Sequence, residues 1–377
     1  MMDQRRQILF LIPSLRGGGA ERVVAALLRH LDRTKFRFAL AVVDIRDAVF
    51  RADVPEDVEL IDLGSSRVRY ALPKIVRLIW KRRPEVVFCT LGHLNLALAI
   101  LRPLLPDNVR YVARETIIVS ENLRLYRTTR LWSWGYRFFY RRFDLVACQT
   151  PSMRDDLVAN YRLPLDKAVV IHNPVDAKRV RELATEFLPR GFDRGVGEAS
   201  RAPVQLVSAG RLSHQKGFDL LIEALALCRD PDLRLTILGD GPLRGDLERL
   251  AAEQGVAHQV RFLGFQKNPY PFFANADALV LSSRFEGFPN VVLEALACGT
   301  PIIATPAAGG IKEILEGVEG CVLADSVTAA GLARALERIP RGRRLSESVV
   351  EPYAMDRITR RYEQELFAYS PSSRHCS

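Results

Sequence analysis

The sequence from Ser282 to Gly299 reads SSRFEGFPNVVLEALACG. A short apolar run, Ala278–Leu281, precedes this segment and predicts a buried strand. The residues from Val291 to Cys298 predict a helix, which should end at the glycine that follows it. A polar loop therefore leads from a strand directly into the N-terminus of a helix.

Two acidic residues in this segment, Glu286 and Glu294, are separated by seven residues. The free N–H groups from Asn290 to Val292, at the positive end of the helix dipole, suit a diphosphate. Glu294, one turn into the helix, suits bidentate hydrogen bonds from ribose hydroxyls, and Glu286 on the loop would face a sugar. The spacing alone fits equally well a glycine turn before a capped helix, with both acids solvated.

The length and composition indicate a two-domain globular protein. A chain of 377 residues is longer than one hydrophobic core usually supports, so we expect two domains with a cleft between them. The six cysteines are scattered, and no apolar run matches a signal peptide or a membrane span. We therefore expect a cytoplasmic protein, free or bound to the inner face of the cell membrane.

The net charge of +10 is confined to one half of the chain. Residues 1–176 contain 29 Lys and Arg against 19 Asp and Glu, whereas the remainder contains 25 of each. Such an asymmetric positive field favours contact between the N-terminal half and phosphate, nucleic acid or lipid head groups.

Apolar runs alternate with helical patterns along most of the chain, which predicts parallel sheets covered by helices. The series restarts after the polar stretch at residues 189–202, so two Rossmann-like, doubly wound α/β domains are expected. We assign residues 1–172 to an acceptor-binding domain and 173–355 to a nucleotide-sugar-binding domain. Residues 356–369 predict a helix that could cross back to the first domain, and residues 370–377 a disordered tail.

Further candidate ligand-binding residues follow predicted strands of the second domain. Arg211 and Lys216 follow its first strand, where a planar fork and a point charge suit a diphosphate, although both would also be ordinary helix-cap cations. Gly239 and Asp240 form a turn after the next strand, and Phe265 follows the strand after that. Such backbone-exposing turns suit a flat base.

A glycine run, Gly17–Gly19, follows the first strand of the chain and lets a ligand approach the backbone closely. It is neither the dinucleotide-binding fingerprint nor a P-loop, because neither the GxGxxG spacing nor a GK[ST] ending is present.

Taken in order, these motifs resemble the retaining nucleotide-sugar glycosyltransferases of GT-B fold, the group 1 glycosyl transferases with a Glu-x7-Glu element. The resemblance covers about residues 8–315. It rests on the following segments: Gly18–Arg22, Asn173–Asp176, Gly210–Leu212 with Lys216-Gly217, Gly239–Gly241, and Glu286 with Glu294.

The resemblance implies that Arg211 and Lys216 hold the donor diphosphate and that Glu286 faces the transferred sugar. Glu294 would bind the ribose, and the other donor-binding positions would be Gly18, Gly19, Gly239, Asp240, Phe265, Asn290 and Val291. It also implies transfer with retention, by front-face attack with the leaving phosphate as base, without a bound metal or cofactor. The resemblance does not identify the base, and we expect UDP in preference to GDP only because it is the commoner donor.

The acceptor side departs from the pattern of the family. Some relatives have a histidine where this chain has Arg114-Glu115, so the group that lines the reacting face of the sugar is open. We place Glu21, His93, Arg114 and Glu115 on the acceptor side, with a bystander role for the loop histidine as the alternative.

Residues 122–143 contain six arginines and eight aromatic residues and no acid. This composition favours contact with an anionic membrane surface, and hence a polyprenyl-diphosphate-linked glycan as the acceptor. Core aromatics beneath a solvated basic face are the alternative, and single-stranded nucleic acid is a rival ligand that we do not expect.

The leading hypothesis is therefore a hexosyltransferase of polysaccharide or glycolipid biosynthesis. A GT-B isomerase or hydrolase acting on a nucleotide sugar would require a general base beside the sugar. A non-catalytic nucleotide- or polyanion-binding module is the third class.

Overall fold

A computed structural model describes residues 5–126, 128–187, 203–339 and 342–368. The loop predicted at 189–202 and the tail predicted at 370–377 lie outside these residues. The chain divides into two units. Unit 1 comprises the residues up to Pro174 and those from Met355 onward, and unit 2 comprises Val175–Ala354.

Unit 1 contains a seven-stranded parallel sheet in the order β3-β2-β1-β4-β5-β6-β7. Its strands are β1 Arg6–Ser14, β2 Phe36–Asp44, β3 Glu59–Asp62, β4 Val86–Thr90, β5 Arg110–Arg114, β6 Leu145–Cys148 and β7 Ala168–Val170. Residues 8–12 of β1 are all buried, because helices cover both faces of the sheet.

Two hydrophobic cores lie on opposite faces of this sheet. Leu9 and Leu11 pack with the helices of one face, whereas Phe10 packs with those of the other. The helices are α1 Gly19–His30, α2 Val68–Arg82, α3 Gly92–Leu101, α4 Val119–Leu123, α5 Thr129–Phe139 and α6 Pro151–Tyr161. Helices α2 to α6 share the first face, and α1 covers the second.

Unit 2 contains a six-stranded parallel sheet in the order β10-β9-β8-β11-β12-β13. Its strands are β8 Val204–Ala209, β9 Leu233–Leu238, β10 Val260–Phe262, β11 Ala278–Leu281, β12 Ile302–Ala304 and β13 Val322–Leu323. Its helices are α7 Ala177–Ala184, α8 Phe218–Cys228, α9 Arg244–Glu253, α10 Tyr270–Asn275, α11 Asn290–Ala297, α12 Ile311–Leu315 and α13 Ala329–Leu336.

The two parallel, doubly wound sheets confirm the predicted fold class. Two strands were not predicted, β3 and β13, and both lie at sheet edges. β3 is half exposed and β13 has two residues, so neither carries the continuous apolar run that marks a buried parallel strand.

The C-terminal helix belongs to unit 1. Helix α14, Met355–Arg361, continues as a π-helix over Tyr362–Phe367. Phe367 is fully buried and lies 5.8–5.9 Å from the rings of Phe10, Phe36 and Phe88. These edge-to-face contacts fix the helix against the second face of the sheet.

A buried arginine joins the C-terminal helix to the strands. The guanidinium of Arg114 donates hydrogen bonds to the hydroxyl of Tyr362 at 3.1 Å, to Oγ1 of Thr90 at 3.3 Å and to Oδ1 of Asn173 at 2.5 Å. Arg114 is 1% exposed, so its charge is stabilised by these oriented dipoles instead of by water.

Replacing Tyr362→Phe removes one acceptor from this buried guanidinium. We expect the free energy of unfolding of unit 1 to fall by about 1–3 kcal/mol. All three tryptophans lie in unit 1, so urea unfolding followed by tryptophan fluorescence reports this unit. The matched control is Tyr70→Phe, at a residue that is 56% exposed, and it should leave the transition unchanged. Equal stability of the two variants would contradict a structural role for the Arg114–Tyr362 bond.

Candidate active site

The loop that carries Glu286 follows strand β11 and is held in place by hydrogen bonds. Thr305 Oγ1 donates to the carbonyl of Ser283 at 2.6 Å, and the N–H of Glu286 donates to the carbonyl of Ala308 at 2.8 Å. A Cβ on Gly309 would lie 2.3 Å from the carbonyl oxygen of Glu286, so only glycine permits this approach. The position of the carboxylate is therefore fixed by backbone contacts.

The Glu286 carboxylate is paired with Lys216. Lys216 Nζ lies 2.6 Å from Oε1 of Glu286, and the hydroxyl of Ser283 donates to the same oxygen at 2.5 Å. Glu286 is 5% exposed and Ser283 is fully buried. Oε2 of Glu286 has no hydrogen-bond partner among the described residues. One oxygen thus holds the carboxylate in place and the second is available to a ligand.

The loops of Lys216 and Glu286 follow neighbouring strands, β8 and β11. Ser282 Oγ donates to the carbonyl of Lys216 at 2.9 Å, and a Cβ on Gly217 would collide with the carbonyl oxygen of Ser282. From β8 the chain runs outward through β9 and β10 and then crosses to β11 on the other side of β8, so the two loops meet where the strand order reverses. Ligands of open parallel sheets bind at this switch point.

Arg211 also follows β8, but its environment differs from that of Lys216. Its side chain is exposed and forms no ion pair with a described residue. Two cations therefore lie on one short segment, one paired with a carboxylate and one open to an anion.

The turn at Gly239-Asp240 lies directly against the segment of Arg211. A Cβ on Gly239 would lie 1.9 Å from the carbonyl oxygen of Gly210, and the N–H of Leu212 donates to the carbonyl of Asp240 at 3.0 Å. The Asp240 carboxylate accepts from the N–H of Phe265 at 2.8 Å. Gly239, Asp240 and Phe265 are therefore brought together at the ends of β9 and β10.

Helix α11 begins at Asn290, one residue before the predicted start at Val291. No side chain caps its N-terminus, and Val291 lies in the first turn. Glu294, one turn further, is 7% exposed. With these residues, the donor-binding positions predicted in the second half of the chain all lie at the carboxyl ends of β8 to β11 or on the helix that follows.

The predicted residues of unit 1 fall into two groups. Gly18, Gly19 and Glu21 follow β1 and His93 follows β4, so both segments flank the switch point of the first sheet. Burial raises the pKa of Glu21, whose carboxylate accepts from Ser14 Oγ at 3.1 Å and fills the space beside Gly18. His93 is exposed.

The second group, Arg114 and Glu115, lies in the interior of unit 1 and not on a surface open to an acceptor. Glu115 Oε1 accepts hydrogen bonds from Asn95 Nδ2 at 3.0 Å and from the hydroxyl of Tyr140. Glu115 Oε2 and Asn95 Oδ1 are buried without a partner among the described residues. Burial raises the pKa of Glu115 to about 8, so its carboxyl group is protonated at neutral pH.

Several residues of these networks were not predicted from the sequence. Ser283, Thr305, Asn95 and Tyr140 are polar residues within or beside apolar runs, and nothing in their local pattern distinguishes them from ordinary core residues. For Ser283 the one available signal is its position three residues before Glu286 on a predicted loop.

No group of three His, Cys, Asp or Glu side chains in the described part of the chain is arranged to hold a metal ion. Within the same part, no helix is long and apolar enough to cross a membrane.

Two family models match the chain. Residues 17–179 match Glycosyltransferase Family 4, and residues 191–352 match Glycosyl transferases group 1. A lipopolysaccharide core biosynthesis glycosyltransferase, LpsE from Rhizobium meliloti, is 30% identical over 296 residues, which is 71% of this chain and 82% of that protein. The chain is a group 1 glycosyltransferase.

Other proteins are also similar to this glycosyltransferase. N-acetylgalactosamine-N,N'-diacetylbacillosaminyl-diphospho-undecaprenol 4-alpha-N-acetylgalactosaminyltransferase of Campylobacter jejuni is 27% identical, with 80% of this chain and 81% of that protein covered. An uncharacterized glycosyltransferase of Methanocaldococcus jannaschii, MJ1059, is 28% identical over 64% of this chain, and the match spans 60% of that protein's length.

Among solved structures, Anabaena HepE in complex with UDP and glucose superimposes on this glycosyltransferase with a TM-score of 0.75. The identity is 18%, with 95% of this chain and 98% of that chain covered. The two parallel-sheet domains thus have the GT-B fold.

The buried carboxyl group of Glu115 makes the stability of unit 1 depend on pH. The pKa of Glu115 is raised in the folded state. Its contribution to the free energy of unfolding is therefore complete below about pH 4.5 and is lost as the pH rises through about 8. The Glu115→Gln variant keeps the acceptor oxygen but cannot ionise. Between these pH values we expect the free energy of unfolding of the wild type to fall by about 2–4 kcal/mol more than that of the variant.

The measurement is urea unfolding of both proteins across this range, followed by tryptophan fluorescence. The control Glu85→Gln alters an exposed carboxylate and should follow the wild type. Parallel curves for the wild type and Glu115→Gln would show that Glu115 is ionised in the folded protein.

Proposed function

We propose that this glycosyltransferase moves a hexose or N-acetylhexosamine, with retention, from a nucleoside diphosphate sugar to a glycan acceptor. UDP is the proposed nucleotide, before GDP. The acceptor is a polyprenyl-diphosphate-linked glycan at the inner face of the cell membrane, in polysaccharide or glycolipid biosynthesis. The observation that carries the proposal is the Lys216–Glu286 ion pair at the switch point of unit 2, beside the exposed Arg211.

The diphosphate would be bound by the two cations. Lys216 Nζ is now 2.6 Å from a carboxylate oxygen, and phosphate oxygens would compete with that oxygen for the ammonium group. Arg211 would add a planar fork that fits a phosphate. Together they would stabilise the charge that grows on the diphosphate as the glycosidic bond breaks, so we propose that no metal ion is needed.

The sugar would be held by Glu286. Its Oε2 is without a partner among the described residues and can accept a sugar hydroxyl, while Ser283 keeps Oε1 in position. Glu294 would bind the ribose, and the turns at Asp240 and Phe265 would receive the base.

In the transfer step, the bond between the anomeric carbon and the diphosphate oxygen breaks. The acceptor hydroxyl forms its new bond on the same face of the sugar, and its proton passes to the departing phosphate oxygen. Atoms and charge balance without another reactant. On unit 1 we propose Glu21 and His93 as acceptor-side groups, because they flank the switch point of that sheet.

The relatives support the choice of substrates. The Campylobacter protein is named for transfer of N-acetylgalactosamine to a diphospho-undecaprenol-linked saccharide, and HepE was solved with UDP and glucose. LpsE is named for lipopolysaccharide core biosynthesis.

Labelled UDP- and GDP-sugars are presented to the enzyme with lipid extracts. We expect transfer from the UDP-sugar at a rate that EDTA does not change, and NMR of the product should show a retained anomeric configuration.

The Lys216→Ala variant should lower kcat/KM by about a hundredfold or more, since it removes a charge that stabilises the leaving diphosphate. The control Lys178→Ala removes a lysine that is 89% exposed in unit 2 and should leave the rate unchanged.

Full activity of Lys216→Ala would contradict the phosphate role of Lys216. An inverted product would contradict front-face transfer, and a rate abolished by EDTA would contradict metal-independent catalysis.

A further inference from the structure

One surface of unit 1 combines exposed apolar side chains with unpaired positive charge. We define the outer helical face as the outward sides of α2, α3 and α5, with the turns Arg102–Leu104 and Tyr140–Arg142. These helices pack their inner sides into the same core on one face of the sheet. The indole N–H of Trp80 on α2 donates to the carbonyl of Leu104 after α3, so the elements are contiguous.

The outer helical face has no acidic residue on its helices or on its two turns. Five Lys and Arg lie on α2, one in the turn after α3, two on α5 and two in the turn after α5. Several of these cations form no ion pair with a described residue: Arg77, Lys81, Arg130, Arg137 and Arg141. The opposite face differs, because α14 and the π-helical turn after it contain the exposed Asp356 and the partly exposed Glu363 and Glu365.

Large apolar side chains project from the same face. They include Tyr70, Trp80, Ile100, Leu104, Leu131, Trp134 and Phe138, which are 43–66% exposed. Leu125 and Tyr126, just before α5, are exposed as well. In the described part of the chain, nine of the fourteen exposed large apolar side chains thus belong to this region. Such clustering marks an interaction surface, because isolated exposed residues would be scattered.

We propose that the outer helical face docks on an anionic lipid bilayer. Tryptophan, tyrosine and leucine side chains would enter the interfacial layer, and the surrounding Lys and Arg would contact lipid phosphates. Arg83 lies over the Trp80 ring at 5.5 Å and Arg142 over Phe139 at 4.7 Å, so cations and aromatic rings are already adjacent. A second copy of this face would bring like charges together, which disfavours self-association.

This inference extends the proposed function, because an enzyme docked on the membrane would reach a lipid-linked acceptor there. Only this connection between docking and the acceptor rests on the proposed function. Docking needs no substrate, so the two can fail separately. Transfer without vesicle binding would refute the surface alone, and vesicle binding without transfer from any donor would refute the proposed function alone.

Sedimentation with vesicles of phosphatidylcholine, with and without phosphatidylglycerol, tests the proposal on the full chain. We expect binding that requires phosphatidylglycerol and weakens at high salt. Leu131→Glu should weaken binding about tenfold or more, and Arg130→Gln with Arg137→Gln by about tenfold or more.

Matched controls lie in unit 2. Leu227→Glu changes a leucine that is 55% exposed, and Lys178→Gln with Arg249→Gln removes two exposed cations. Both should bind vesicles as the wild type does. A cooperative urea unfolding transition, followed by tryptophan fluorescence, establishes that each variant of unit 1 is folded.

Three outcomes would overturn the proposal. One is the absence of wild-type binding to phosphatidylglycerol vesicles. Another is an equal loss of binding in the controls. The third is a wild-type protein that does not bind vesicles but does bind single-stranded oligonucleotides, or that forms a dimer which Leu131→Glu dissociates.

Discussion

The ion pair between Lys216 and Glu286 is the contact on which the chemistry that we propose for unit 2 depends. It joins the loops that follow β8 and β11 at the point where the strand order reverses, so the ends of two neighbouring strands meet where open parallel sheets bind ligands. Ser283 shares the same carboxylate oxygen and fixes its direction. In the absence of an anion the carboxylate neutralises the cation, and a diphosphate would have to replace it. The Glu286 carboxylate is buried and the Lys216 ammonium group is partly buried, so both charges are already in position, which would limit the reorganisation that binding of the proposed donor requires.

The fold was predictable because parallel strands covered on both faces are continuous apolar runs. This holds for β1, β4 and β11, whose residues are mostly fully buried. It fails for β3 and β13, where an edge position requires few apolar residues. The π-helical turn at Tyr362–Phe367 was also not predictable, since its residues keep the ordinary periodicity of an amphipathic helix.

The positions of candidate site residues were predictable where they depend only on the local order of strand, loop and helix. Glu286, Asn290 and Lys216 follow strands or begin helices, and such positions can be read from a single segment. Arg114 ends strand β5 and Glu115 follows it, yet both side chains turn into the interior. The partners of Arg114, Tyr362 and Asn173, are distant in sequence, and only the packed structure shows that they satisfy its buried charge. The outer helical face similarly combines elements that the sequence separates.

The most direct test of the account is the affinity of the Glu286→Gln variant for UDP and for GDP, measured by titration calorimetry. A glutamine would release Lys216 from its ion pair and leave Arg211 unchanged. We therefore predict that the variant binds the favoured nucleoside diphosphate at least as tightly as the wild type, while its turnover with the nucleotide sugar collapses. Weaker nucleotide binding together with unimpaired turnover would contradict the assignment of Lys216 to the diphosphate and of Glu286 to the sugar.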